Sequence, residues 1–345
     1  MKVLTFFNNK GGVGKTTLTG NIAAYLAQEM GQRILIVDAD PQCNITQFIL
    51  GDTKTIQIYW PQKSNKDDLT VKTILDVVQP ILDGDASVNR NVRPLPKKSN
   101  RFSVDILPGH PRFSLLEDQL SFAWTELPSG KPGGFRISNW LRDYLATAAS
   151  DYDLVFVDVG PSLGSLNRSV MLSCDRFIAP LGADAFSILG LRNISRWMTA
   201  WVEYYKVGLE QSERLNAGAL AKYSIRKDLP IEKGFVGYTL QQYIAKSKEG
   251  VRRPTKAYER ILSDLPVEIE NHLAQFSAVP AASKPVDFHL GDVPNMYSLI
   301  PLAQSVNAPI VALRAKDGLV GSQFNQAADY RSIIGKLATT IAERV

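Results

Sequence analysis

The chain has 345 residues, 45% of them hydrophobic and 21% charged, with a formal net charge of +5. That balance fits a packed globule of one large domain or two small ones and excludes a disordered or fibrous chain. Cys43 and Cys174 are far apart and form no CxxC pair, which excludes a disulfide framework and argues against an iron–sulfur site.

The expected elements alternate along the chain. Residues 3–8 read as a buried strand, and Lys-Gly-Gly-Val-Gly-Lys-Thr-Thr follows at 10–17. A helix expected over 16–30 then carries Leu18, Ile22, Tyr25, Leu26 and Met30 on one face. A glycine-rich turn between a strand and a helix N-terminus is a phosphate cradle. The backbone of Gly11, Gly12, Val13, Gly14, Lys15, Thr16 and Thr17 would wrap the phosphates, with Lys15 as a point charge and the Thr16 hydroxyl reaching Mg²⁺. The common loop pattern has a glycine where Asn9 stands. Lys10 comes too early to lie along the terminal phosphates of its own nucleotide. It is better placed to reach a second nucleotide facing it, and Gly11 and Gly12 leave the backbone bare for another chain to approach.

A strand expected over 33–37 ends in Asp38, then Asp40, Pro41 and Gln42. A short, wholly apolar run is what a strand buried on both faces of a parallel sheet looks like. Carboxylates at its carboxyl end lie where ligands bind in open α/β sheets. Next come a helix over 70–78, a strand over 103–107 and helices over 111–122 and 135–149. The strand expected over 154–158 ends in Asp158, with Gly160, Pro161 and Ser162 after it. Helices over 163–172, 185–205, 254–275 and 323–342, and strands over 176–181, 234–238 and 310–313, complete the pattern. The alternation reads as α/β, a doubly wound, mostly parallel sheet with helices on both faces.

On KGGVGKTT at 10–17, ILIVDADPQ at 34–42 and DYDLVFVDVGPSL at 151–163, the chain resembles the ParA/MinD family of deviant Walker A (KGGxGK[ST]) P-loop ATPases. Weaker matches, ILPGHPR at 106–112, DRFIAPLGADAFSILGL at 175–191 and SLIP at 298–301, extend the resemblance over nearly the whole length. It implies a three-layer αβα P-loop NTPase fold and a slow, Mg-dependent ATPase. Lys10 matches the family's signature lysine. Lys15 would lie on the β- and γ-phosphates, and Asp38 would orient or activate the attacking water. Mg²⁺ would be held by Thr16 and, through water, by Asp40 and Asp158. Gly160–Ser162 would sense the γ-phosphate, and Pro301 would line the adenine. The implied assembly is a homodimer with ATP sandwiched between subunits, with an ATPase-activating partner protein and nonspecific DNA as further partners. The implied output is partition or positioning of DNA or another cargo.

One domain over 1–345 is expected, with rim insertions at 53–68, 83–100, 125–135 and 206–260. Residues 220–260 hold ten Lys and Arg against four Asp and Glu, a net of +6, so the rest of the chain nets −1. A basic surface interleaved with tyrosines can bind phosphate backbones without reading bases; Arg252, Arg253 and Lys256 are the candidate DNA contacts. A solvated charged face is the plainer reading. No apolar run is as long as a membrane span, and the first core strand opens the chain, so no signal peptide is expected and a cytoplasmic, nucleoid-associated protein is. The C-terminal helix has a narrow apolar face without Trp or Phe, which fits packing on the sheet better than a membrane anchor. The alternatives are a nucleotide-state regulatory subunit of a larger complex, without DNA binding, and a membrane-associated MinD-like ATPase.

Overall fold

The computed structural model describes residues 1–60, 71–241, 245–248, 251–254, 256–277, 287–294, 296 and 298–345, with backbone alone for those between 245 and 260. The elements are β1 (Lys2–Phe6), α1 (Lys15–Glu29), β2 (Ile34–Asp38), α2 (Asn44–Leu50), α3 (Asp52–Tyr59), α4 (Ile74–Leu82), β3 (Asp105–Leu107), α5 (Leu116–Glu126), α6 (Pro132–Ser138), α7 (Trp140–Leu145) and β4 (Leu154–Asp158). There follow α8 (Ser165–Ser173), β5 (Arg176–Gly182), α9 (Ala185–Leu215), β6 (Phe235–Gln241), β7 (Ala245–Lys248), β8 (Val251–Pro254), α10 (Lys256–His272), β9 (His289–Val293), α11 (Leu299–Ser305) and α12 (Gln323–Arg344).

Seven strands form one sheet in the order β3-β2-β4-β1-β5-β6-β9, every pair parallel. Side chains alternate across each strand. Val3 and Phe7 therefore enter the core under α4 to α10, while Leu4 and Phe6 enter the core under α1, α2, α11 and α12. Both faces are covered, as an all-parallel sheet requires. The chain builds β2 and β3 on one side of β1 and β5, β6 and β9 on the other. The loop after β1 thus sits at a topological switch point, the place where such sheets bind ligands.

Several features depart from the sequence-based expectation. Residues 310–313 are not a strand: Ile310–Ala312 is a single 3₁₀ turn, and Asn21 Oδ1 of α1 accepts from the Ile310 and Val311 N–H groups at 2.8 and 3.4 Å. The last strand is β9, a half-buried edge strand where the sequence-based expectation has none. The helix expected over 135–149 breaks at Asn139, whose amide donates to Phe135 O and Tyr205 Oη while its Oδ1 accepts from Arg226 N. Helices α2, α3 and α11 and the antiparallel β7–β8 ribbon were not anticipated. The expected insertion at 53–68 is helical to Tyr59, its 61–68 part lies outside the described residues, and that at 206–260 begins inside α9. Helix α12 buries Tyr330, Ile334, Leu337 and Ile341 and packs on α1 and β9, so its apolar stripe is covered by the body of the protein. No described helix is long and apolar enough to cross a membrane.

Candidate nucleotide site

The loop between β1 and α1 turns on glycines: Gly12 has φ 74° and Gly14, which caps α1, has φ 80°, the left-handed region that side chains with a Cβ avoid. Gly14 also lies against Gln241, where an added Cβ would come within 2.9 Å of the side-chain oxygen. Lys15, the first residue of α1, is buried, and its Nζ donates to Asn8 O at 3.1 Å and Lys10 O at 3.0 Å. Burial lowers its pKa, while Asp158 and Asp40 oppose that shift. Its ammonium is thus held under the loop beside two carboxylates.

The carboxylates converge because of strand register. Asp38 and Asp158 are direct partners at the carboxyl ends of β2 and β4, and Asp40 follows one turn on. Thr16 Oγ1 donates to Asp158 Oδ2 at 2.9 Å, and Asp158 Oδ1 is buried with no hydrogen-bond partner. Desolvation, with Asp38 and Asp40 nearby, pushes the Asp158 pKa well up; burial also raises that of Asp40. A buried acceptor without a donor, beside a threonine hydroxyl and further acids, is the chemistry of a site for a hydrated cation. These residues fit Mg²⁺: Thr16 would ligate it directly, and Asp158 and Asp40 through its waters. No group of three or more His, Cys, Asp or Glu among the described residues could hold a metal on its own.

Asp38 is fully buried. Its Oδ1 accepts from Asp40 N at 3.2 Å, and its Oδ2 from the N–H and hydroxyl of Thr46 on α2 at 3.0 and 2.5 Å. Thr46 Oγ1 accepts in turn from Gly109 N at 2.8 Å. Thr46 therefore ties β2 to the segment after β3, and sequence reading did not single it out. Burial pushes the Asp38 carboxyl up to about 7. The folded state then holds its proton more tightly than the unfolded chain does. Stability is fullest below the ordinary carboxylate range and is lost as pH rises toward 7, by up to about 4 kcal/mol at roughly 1.4 kcal/mol per unit. Asp38→Asn is expected to flatten that part of the pH dependence. Melting temperatures of both proteins between pH 5 and 8 check it; parallel curves would show that Asp38 is already ionised at pH 5.

A cleft of about 730 Å³ opens above the loop, lined at its base by Gly11, Gly12, Gly14, Lys15, Thr16, Thr17 and Asp40. Gln47 and Asp52 of α2 and α3 form one wall, joined by a 2.7 Å hydrogen bond, and Ile300, Gln304 and Ser305 form another. Pro301, expected at the adenine, is exposed and does not line the cleft; its neighbour Ile300 does. Val13 is buried behind the loop, and Asp38 is enclosed rather than on the cleft surface. Asn167 Nδ2 donates to Gly160 O at 2.7 Å and Ser162 O at 2.8 Å, fixing the loop after Asp158.

Lys10 lies at the rim, one-third exposed, and its Nζ pairs with Asp184, the N-cap of α9. The DNA candidates are only partly placed. Arg252 and Arg253 lie on β8 opposite Ser247 and Lys246, and Lys256 opens α10; their side chains lie outside the described residues. Arg226, counted in the basic run, is buried and paired with Asp175 at 2.5 Å, so it is not a surface cation.

A family model described as an AAA domain, AAA_31, matches residues 1–210. The virulence plasmid ParA family protein of Chlamydia trachomatis is 28% identical over 226 residues, 66% of this chain and 71% of its own. The chromosome-partitioning ATPase Soj of Treponema pallidum is 30% identical over 190 residues, 55% of this chain and 60% of its own. Among solved structures, a Corynebacterium diphtheriae protein superposes with a TM-score of 0.72 at 31% identity, covering 100% of this chain and 98% of that one. An ATP complex of Cyanothece McdA has the same fold, with a TM-score of 0.59 at 14% identity, covering 99% and 96%. Local loop chemistry, strand register and these matches agree: the chain belongs to the ParA/MinD-like family of P-loop ATPases.

Proposed function

We propose that the protein binds ATP with Mg²⁺ and hydrolyses it slowly as a dimerisation switch, with partition or positioning of DNA or another cargo as its output. The observation that carries the reading is the meeting of Lys15, Thr16 and the unpartnered Asp158 Oδ1 at the base of a cleft large enough for a nucleotide. Lys15 exchanges its two backbone acceptors for phosphate oxygens. The N–H groups at the start of α1 hold the same phosphates. Bound Mg²⁺ supplies charge neutralisation at the phosphates. Asp38 orients the water that attacks the γ-phosphorus, once Thr46 yields its hydrogen bonds. Lys10 swings from Asp184 to the nucleotide of a second copy. Phe186 and Leu189, 73% and 52% exposed on the first turns of α9 beside that lysine, give the second copy an apolar surface to cover.

The partition output follows the relatives, among them a chromosome-partitioning ATPase, and the excess of positive charge between 220 and 260. Size exclusion with light scattering tests it, in ADP and in a slowly hydrolysed ATP analogue, with and without duplex DNA. A monomer in ADP, a dimer in the analogue, and DNA retention that collapses as salt rises are expected. A dimer that retains no DNA at low salt would replace partition by a regulatory role in a larger complex. A monomer under every condition would end the switch reading.

A further inference from the structure

Two insertions that are far apart in sequence meet at a second cavity, which shares no lining residue with the nucleotide cleft. Helix α4 starts beside the carboxyl end of β3, where Ile74 N–H donates to Pro108 O at 2.8 Å. The loop that follows it packs against the segment after α9. Between them lies a cavity of about 100 Å³, a seventh of the volume of the nucleotide cleft, lined by Ser87, Arg90, Arg136, Asp143, Tyr223 and Ser224 among others. Arg90, Arg136 and Asp143 lie within the residues 1–210 that match the family, whereas Tyr223 and Ser224 lie beyond them.

Apart from Arg90, its side-chain donors are uncommitted among the described residues. Asp143, the one carboxylate in the lining among the described residues, is paired with Arg90. The Arg136 guanidinium lies over the Tyr223 ring, 4.6 Å from its centre, and makes no ion pair or hydrogen bond among the described residues. Lys222 Nζ sits 5.3 Å from the same ring centre, also without a carboxylate. Stacking on an aromatic face orients a guanidinium but uses none of its five N–H donors. The hydroxyls of Ser87 and Ser224 have no partner among the described residues either. A small cavity with a fixed guanidinium, free hydroxyls and its only acid already neutralised suits one compact oxyanion.

We propose that this notch binds a single phosphate group, as inorganic phosphate or as a phosphodiester of nucleic acid, with Arg136 as its principal ligand. The size admits one phosphate group and not a whole nucleotide, and the planar fork of Arg136 matches two phosphate oxygens. The site does not depend on the ATPase reading, because it shares no residue with the nucleotide cleft.

The test is calorimetric titration of inorganic phosphate into protein already saturated with Mg²⁺ and a slowly hydrolysed ATP analogue, which occupies the P-loop. One phosphate per chain is expected. Arg136→Gln should weaken it at least tenfold, and Ser224→Asp, which sets a carboxylate beside Arg136, should do the same by a different route. Affinity for the ATP analogue should stay unchanged in both. A parallel arm follows duplex DNA retention against salt. If the source is a phosphodiester, Arg136→Gln should reduce the slope of log affinity on log salt by about one. Lost phosphate uptake with an unchanged slope identifies a free anion. No phosphate uptake by the wild type, or uptake indifferent to both substitutions, together with an unchanged slope, overturns the proposal.

Discussion

Lys15→Ala is expected to remove nucleotide binding while leaving the fold intact. Among the described residues the Lys15 ammonium is the one side-chain cation at the base of the cleft, and its present partners are two backbone carbonyls, Asn8 O and Lys10 O. Carbonyls are weak competitors for an ammonium when phosphate oxygens are offered. Two charge-assisted hydrogen bonds to phosphate contribute about 1.5–3 kcal/mol each. Their joint loss weakens binding by roughly a hundred- to ten-thousandfold. A second effect acts in the same direction. Lys15 is the cation opposing the desolvation of Asp40 and Asp158. Without it those acids hold their protons to higher pH, and a cation site built on them weakens as well. Titration of an ATP analogue with Mg²⁺, alongside circular dichroism, measures both. An affinity within about threefold of the wild type, in a folded variant, would remove Lys15 from the site and with it the phosphate-cradle reading.

What the sequence disclosed and what it hid divide along one physical line. The strands β1, β2, β4 and β5 are legible because burial on both faces leaves apolar runs with no polar alternation. The phosphate end of the site is legible for a similar reason: Gly11 to Thr17 lie together in sequence, and Asp38 and Asp158 terminate strands. The rest is assembled by folding. Gln47, Asp52, Ile300 and Gln304 face one cleft from helices some 250 positions apart, and no local pattern joins them. The segment holding Pro301 is recognisable in sequence, but which of its residues lines the cleft is set by the turn of α11, which places Ile300 there. The apolar run at 310–313 misled for a related reason. It is apolar because it packs against α1, and Asn21 rather than a neighbouring strand accepts from its N–H groups. Asp184 caps α9, and its second role, holding Lys10, spans 174 positions, beyond the reach of a local pattern.

Lys10→Ala is expected to leave ATP binding to a single chain within about threefold of the wild type, and to lower turnover by about a thousandfold or more. The second figure is the scale on which a cation supplied in trans stabilises phosphoryl transfer. The first rests on geometry. Lys10 does not line the cleft; its ammonium points to Asp184, whose other oxygen accepts from Ser187 N at 3.1 Å at the start of α9. Such a cation contributes little to its own chain's nucleotide, and it must leave Asp184 to reach another's. A partly exposed ion pair of this kind holds with only about 0–1 kcal/mol, a latch that a triphosphate can open. Asp184→Asn keeps an acceptor for the Ser187 N–H and removes the counter-charge, so turnover should hold or rise rather than fall. Protein concentration separates a role in trans from one in cis. In trans, turnover per chain climbs with concentration as copies pair, and Lys10→Ala erases that climb. A wild type whose turnover per chain is flat across the range where pairing occurs, or a Lys10→Ala variant that keeps full turnover, would place the lysine's work within its own chain and end the two-copy mechanism.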